Sequence, residues 1–461
     1  MIRGACLFGD QWVLLIAMLS PPQSPDTLPS RCSVCGIESA LPGVFIRRRR
    51  SFRTTTRDFC PVCWAKKQHS SFGWRIANWL ATLIGGVALA WFVPQIGLGW
   101  LLINVACFDL FNVLTIVPHE LGHAFVARML GLRVFKIIVG TGRPWFRTRL
   151  FGIATEFKML LLGGLAFAAH RRVAGYRWRQ FLFVMGGPAV NLGLIGVALF
   201  AKPAGTVWDF AALREGFVPL QVFFYANMVV LLVNLWPRMI QTDVGPLASD
   251  GKLLFRAVFS RSGDAANSHA MLFAMEGIEC RERNDFQSAR RWFEEGQARY
   301  PDNETLKAFQ TCNMLDAGEF ATARNLLLPE LAKEDLVPAI RALLLNNIAY
   351  ADALLGGPEL LDEADRYSTE ALALLPWMSA VQGTRGTVLL AMGRIGEAMP
   401  LLQKSFEETM ALHGKAQNAC FLAMANARSG DDGKAAEYLR LAREYDPKCF
   451  LLERAAREID N

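Results

Sequence analysis

The sequence predicts a mainly α protein, a polytopic membrane helix bundle preceded by a small Cys-rich ribbon and followed by a C-terminal α-solenoid. Three observations predict it. Of the 461 residues, 52% are hydrophobic and only 20% charged, more apolar surface than one soluble core needs. Residues 1–262 carry 28 Lys+Arg against 11 Asp+Glu, whereas 263–461 carry 21 against 31, the asymmetry of a membrane region followed by a soluble domain. The apolar residues also gather into runs long enough to cross a bilayer before giving way to amphipathic patterning. This composition excludes a disordered chain, and a nucleic-acid binder would instead line one soluble face with its cations.

The predicted division is an N-terminal tail (1–30), a Cys-rich segment (31–70), a membrane domain (71–262) and a helical domain (263–461). In the tail, the apolar run Trp12 to Leu19 has Asp10 beside it and no small-x-small site after it, so a weak interfacial segment is expected rather than a cleaved signal. Cys32/Cys35 and Cys60/Cys63 form two Cys-x-x-Cys pairs separated by 24 residues. Four thiolates suit a closed tetrahedral structural zinc, with a redox pair as the other reading. The remaining six of the ten cysteines are scattered, which is not a secreted disulfide framework and implies a reducing compartment.

Apolar stretches at about 76–93, 99–127, 181–201 and 219–237 each approach the roughly 20 residues of a spanning helix. Four crossings are expected. A fifth stretch, Met159 to Ala169, is short and holds Gly163 and Gly164, so a re-entrant or interfacial segment is expected there. The segment before the first span (Arg47 to Arg50, Arg53, Arg57, Lys66, Lys67) and the loop between spans two and three are rich in Lys and Arg. Both should be cytoplasmic, which places both termini on that side. The Arg47–Arg50 run reads as a topology or lipid signal rather than a nucleic-acid patch.

In 263–461 apolar positions recur three and four apart, with turns at Asn284-Asp285, Gly356-Gly357-Pro358 and Gly430 to Gly433. Gly277, Ala289, Phe293 and Pro301 fall at the small, small, aromatic and proline positions of a 34-residue helix-turn-helix repeat, and Ala289 to Ala323 and Ala364 to Ala398 repeat that shift. The stretch resembles the tetratricopeptide repeat in about five degenerate copies. Such repeats stack into a solenoid whose concave face takes a protein or peptide partner.

The sharpest chemical signal is His119-Glu120-Leu121-Gly122-His123 at the end of the second apolar stretch. On a helix, i and i+4 share a face, so both imidazoles can grip one zinc while Glu120 reaches a water held there. Ionisable groups at membrane depth cost about 2.5 kcal/mol or more each and are kept for a task. An intramembrane zinc site is therefore expected.

From about residue 76 to 258 the chain resembles the site-2 protease family of intramembrane zinc metalloproteases. Besides the His-Glu-x-x-His helix, "VFKIIVGTGRPWF" and "GIATEFKMLLLGGLAFAA" are similar to that family's site-lining segments. "GGPAVNLG" (Gly186–Gly193) is similar to its Gly-Pro-x-x-Asn helix, and "NLWPRMIQTDVGPLASDGKLL" to its Asn-x-x-Pro and Asp-Gly motif. The resemblance implies His119, His123 and Asp250 as ligands of a catalytic zinc and Glu120 as general acid/base. It also implies that Asn191 positions substrate or stabilises developing charge, while a polar helix contact brought close by Gly186 and Gly187 is the other reading of that residue. Asp250 lies 16 residues beyond Asn234, farther than is usual in the family, and Asp243 stands between as the other candidate. The substrates implied are membrane-anchored proteins cut within their transmembrane helices, and the setting a bacterial inner membrane. A membrane-anchored repeat scaffold on a protease fold that no longer cuts is the competing reading, supported by the displaced Asp.

Overall fold

A computed structural model describes residues 30–39, 46–49, 56–201, 207–242, 245–259, 262–334, 336, 338–409 and 411–460. Asp243 and the tail before Ser30 lie outside the described residues. The chain divides into two units, Ala65–Leu272 and a second that joins Met1–Trp64 to Phe273–Asn461.

The Ala65–Leu272 unit is built on apolar helices. Among the described residues three are long and apolar enough to cross a membrane: Gly73–Phe92, which is the span of α1 (Pro61–Phe92), then α2 (Leu98–Met129) and α3 (Tyr176–Ala201). Beyond the short α4 (Ala212–Glu215), α5 (Pro219–Leu235) is apolar but only 17 residues long. Large apolar side chains such as Ile84, Trp91, Leu114, Phe125, Phe200 and Leu232 face outward, as a lipid solvent requires. Pro94 cannot continue α1 and Gly97 turns the chain at φ 66°, whereas α2 ends on Gly131 at φ 75° with Leu132 N–H bonded to Ala127 O at 2.9 Å. The helices pack through glycines. A Cβ on Gly122 would lie 2.5 Å from Gly186 O, and one on Gly99 2.2 Å from Ala90 N, so α2 lies against α3 and α1 at backbone distance.

Between α2 and α3 run two long antiparallel strands, β5 (Arg133–Leu150) and β6 (Ile153–Ala169), which follow four short strands near the N-terminus. Phe151 and Gly152 join them with φ of 50° and 76°, the left-handed pair of a tight hairpin turn. Residues 136–139 pair with 167–164 and also with 154–157, so the hairpin folds back on itself. The stretch Met159–Ala169, expected as re-entrant or interfacial, is thus a strand. Its backbone is satisfied by pairing rather than by an internal helix, which is how non-helical chain survives at membrane depth. A buried ion cluster, Lys136 and Arg147 on Glu156 at 2.8 and 3.0 Å, holds the fold-back.

After α5 comes a small hairpin, β7 (Met239–Thr242) with β8 (Gly245–Ala248), and then α6 (Asp250–Val258).

In the other unit, β1 (Ser30–Arg31) pairs with β2 (Glu38–Ser39), and β3 (Ile46–Arg49) with β4 (Thr56–Phe59). Helices α7 (Ser262–Arg281) to α16 (Asp432–Tyr445) form five consecutive pairs, closed by α17 (Leu452–Asp460). The partners run α7/α8 (Phe286–Arg299), α9 (Glu304–Asp316)/α10 (Phe320–Leu331), α11 (Pro338–Leu355)/α12 (Pro358–Leu374), α13 (Ser379–Ala391)/α14 (Ile395–Glu408) and α15 (Leu412–Arg428)/α16. The repeat positions do the packing. Ala289, Ala323, Ala364, Ala398 and Ala435 are all fully buried, and a Cβ on Gly277 would lie 2.4 Å from the Phe293 ring. Helix pairs that cannot bury a face alone bury it on the next pair, and these are tetratricopeptide-like helical repeats.

Candidate active site and metal centres

The His119 and His123 rings come from successive turns of α2, and α6 brings Asp250 to them. His119 Nε2 lies 3.1 Å from Asp250 Oδ2 and 3.2 Å from His123 Nε2, and His123 Nε2 lies 3.5 Å from the same oxygen. Ligand atoms around a tetrahedral zinc with bonds of about 2.0–2.2 Å stand roughly 3.3–3.6 Å apart. The other edge of each ring is already engaged: His123 Nδ1 lies 3.0 Å from Phe183 O and 3.2 Å from the Gly187 N, and His119 Nδ1–H donates to Asn191 Oδ1 at 2.6 Å. With its Nδ1 protonated, His119 turns an Nε2 lone pair toward the same carboxylate oxygen that His123 Nε2 faces, an arrangement that a cation between them resolves. The donor set fits zinc.

Two glycines make room for it. A Cβ on Gly187 would lie 2.3 Å from His123 Nε2 and 2.5 Å from His119 Nε2. A Cβ on Gly164 would lie 2.7 Å from the Glu120 carboxylate carbon, so β6 passes directly over Glu120, which is buried and bonded by the Ala166 N–H.

The hairpin β7–β8 accounts for the long interval between Asn234 and Asp250. Arg238 and Ser249 flank it and are bonded to each other, Ser249 N–H to Arg238 O at 3.0 Å and Arg238 N–H to Ser249 Oγ at 3.1 Å. With β7 and β8 paired between them, the chain returns to its point of departure. Ser249 then caps α6, and Gly251 is required because a Cβ there would lie 1.8 Å from Leu235 O. Asn234 Nδ2 stays within 3.4 Å of His119 Nε2.

Asn191 is fully buried on α3 with both ends of its amide occupied, Oδ1 on His119 and Nδ2 donating to Asn227 Oδ1 at 3.1 Å. These contacts tie α3 to α2 and to α5. Sequence reasoning passed over Asn227 and Thr115, although an Asn in the middle of so apolar a helix as α5 was the available signal.

Cys32, Cys35, Cys60 and Cys63 lie with their sulfurs within 4.8 Å of one another. The first pair sits on the β1–β2 turn, where Gly36 at φ 74° lets its N–H reach Cys32 O at 3.0 Å. The second straddles the end of β4 and the first turn of α1. Burial works against ionisation of Cys32, Cys60 and Cys63. At Cys32 the N–H groups of Cys35, Cys60 and Val34 outweigh it and bring the thiol to about 6, whereas burial pushes Cys63 up to about 11. A Cys32 thiol shifted down beside Cys60 and Cys63 thiols shifted up suits a cation that displaces their protons.

Residues 110–208 match the family model of Peptidase family M50. No curated protein matches the chain. Among solved structures, a thermophilic tetratricopeptide-repeat protein of Thermus thermophilus is similar at 16% identity and a TM-score of 0.34, over 42% of this chain and all of that one. A tetratricopeptide-repeat protein of Parabacteroides merdae is similar at 16% identity and a TM-score of 0.28, over 46% and 92%. The MamA protein is similar at 18% identity and a TM-score of 0.25, over 39% and 92%.

Proposed function

We propose that the chain is an intramembrane zinc metalloprotease of the site-2 protease type, which hydrolyses peptide bonds within the transmembrane segments of membrane-anchored proteins. The observation that carries this reading is the convergence of His119, His123 and Asp250 at ligand-to-ligand spacing, with Glu120 beside them under strand β6. Bound there, zinc would supply Lewis acidity for the scissile carbonyl and acidify the attacking water. Glu120 takes the proton of that water and returns one to the leaving amine. Asn191 and Phe183 O orient the two rings, and β6 keeps bulk water from the carboxylate. The displaced Asp that favoured an inactive scaffold is accounted for by the β7–β8 hairpin. The test is Glu120→Gln, which should abolish cleavage of a membrane-anchored reporter while zinc stays bound. Unchanged cleavage would exclude Glu120 as the acid/base.

The Cys segment and the repeat helices support a second, structural zinc and a same-side topology. Cys32, Cys60 and Cys63 share a core with Ala342, Leu345, Ala371, Leu375 and Trp377, and Ser39 Oγ donates to Leu374 O at 2.8 Å. Segments in contact lie on one side of a membrane, so the chain between them crosses an even number of times. With three long apolar helices among the described residues, this supports α5 as a fourth crossing, and the positive flanking loops favour a cytoplasmic side for the shared unit. The repeat domain takes a protein or peptide partner. Its inner helices surround a cavity of about 240 Å³, into whose lining Arg281, Asn346 and Tyr350 each bring a buried polar atom without a protein partner.

A further inference from the structure

We infer that Asn227, in the middle of α5, is a positioning residue that fixes the tautomer of His119 through Asn191; this rests on the zinc-site reading above. Asn227 is fully buried among the apolar side chains of its helix, a costly place for an amide without a task. Its bonds form a directed chain. Asn227 Nδ2 donates to Phe223 O of its own helix at 2.9 Å. A carbonyl can only accept, so the NH₂ end of this amide is pinned there and Oδ1 must face the other way. Oδ1 accepts from Asn191 Nδ2 at 3.1 Å and from Thr115 Oγ1 at 3.4 Å. That fixes the second amide in turn: with its NH₂ spent on Asn227, Asn191 can offer His119 Nδ1 only an oxygen, at 2.6 Å.

The ring nitrogen facing an acceptor must carry the proton. His119 is therefore held as the Nδ1–H tautomer, and its Nε2 lone pair points at Asp250 and His123. One backbone carbonyl on α5 thus decides, through two amides, which nitrogen of a histidine on α2 is free to bind metal. Without the Asn227 acceptor, Asn191 is free to rotate and present NH₂ to Nδ1. That orientation favours a proton on Nε2, in the ligand position.

The experiment is zinc affinity of the full-length protein in detergent, by chelator competition, for wild type, Asn227→Leu and Asn227→Asp, with circular dichroism confirming equal helix content. The His119-dependent ion is identified by its loss in His119→Gln. Asn227→Leu removes the acceptor and should weaken that ion about 10–100-fold, the usual cost of losing an outer-shell partner. A protonated Asp keeps both a donor for Phe223 O and an acceptor for Asn191, so Asn227→Asp should restore affinity to within a few fold. Unchanged affinity in Asn227→Leu overturns the inference, and so does equal loss in both variants, which would mark a purely structural role. Absence of a His119-dependent ion in wild type overturns the zinc-site reading itself and the inference with it.

Discussion

Gly187 sits where any side chain would occupy the space on which the ligand nitrogens converge, 2.3 and 2.5 Å from them. Gly187→Ala should therefore lower zinc affinity at the membrane site by at least the roughly 10–100-fold that losing an outer-shell partner costs. The Cys-bound ion should be unaffected, and metal analysis with chelator competition separates the two. At Gly164 the same reasoning concerns the acid/base rather than the metal. A methyl 2.7 Å from the Glu120 carboxylate carbon should depress turnover while zinc remains, as kcat against metal content would report. The candidate clusters at His119/His123 and at the four cysteines were legible because spacing and residue type carry that chemistry directly, whereas Asp250 was suggested only by the family resemblance. Asn227 and Thr115 were not, because their meaning lies in a bond direction across three helices that no local pattern encodes.

The β7–β8 hairpin and the repeat pairs make their predictions as elements. Met239 pairs with Ala248, so replacing residues 240–247 by Asn-Gly closes the same strands with a two-residue turn. Zinc at the membrane site should then be retained within about twofold, and its loss would make the hairpin part of the site. In the repeats, His413 at the start of α15 lies 2.5 Å from Asp446, which follows α16. Burial opposes the His413 charge, but Asp446 and Asp316 outweigh it and hold the imidazole above its ordinary value, while His413 holds Asp446 below its own. The histidine's contribution is complete below about pH 6.5 and is lost as pH rises through its raised value; the aspartate's is lost as pH falls through its lowered one. Thermal melts of His413→Gln and wild type should differ most near pH 6 and converge as pH rises through the raised value of His413. Helix periodicity and the 34-residue shift made these pairs legible. The β5–β6 fold-back was not, because its pairing partners lie on both sides of one strand and its apolar run with two glycines suits a membrane loop as well as a strand.

At the scale of the molecule, the Cys segment shares its core with helices some 300 residues away, as in the Ser39 to Leu374 bond. Contacts at that separation leave no trace in composition or period. Removing the metal there should therefore destabilise the repeats: Cys32→Ser/Cys60→Ser should lower their thermal midpoint by more than the about 2–4 °C that 1 kcal/mol gives in a domain of this size. The single measurement closest to the central claim is the zinc content of the purified full-length protein beside Asp250→Ala, Asp243→Ala and the double Cys variant. With two candidate ligand clusters among the described residues, the account predicts two ions in wild type and in Asp243→Ala, and one in Asp250→Ala and in the Cys variant. A wild-type protein holding only the Cys-dependent ion would contradict it.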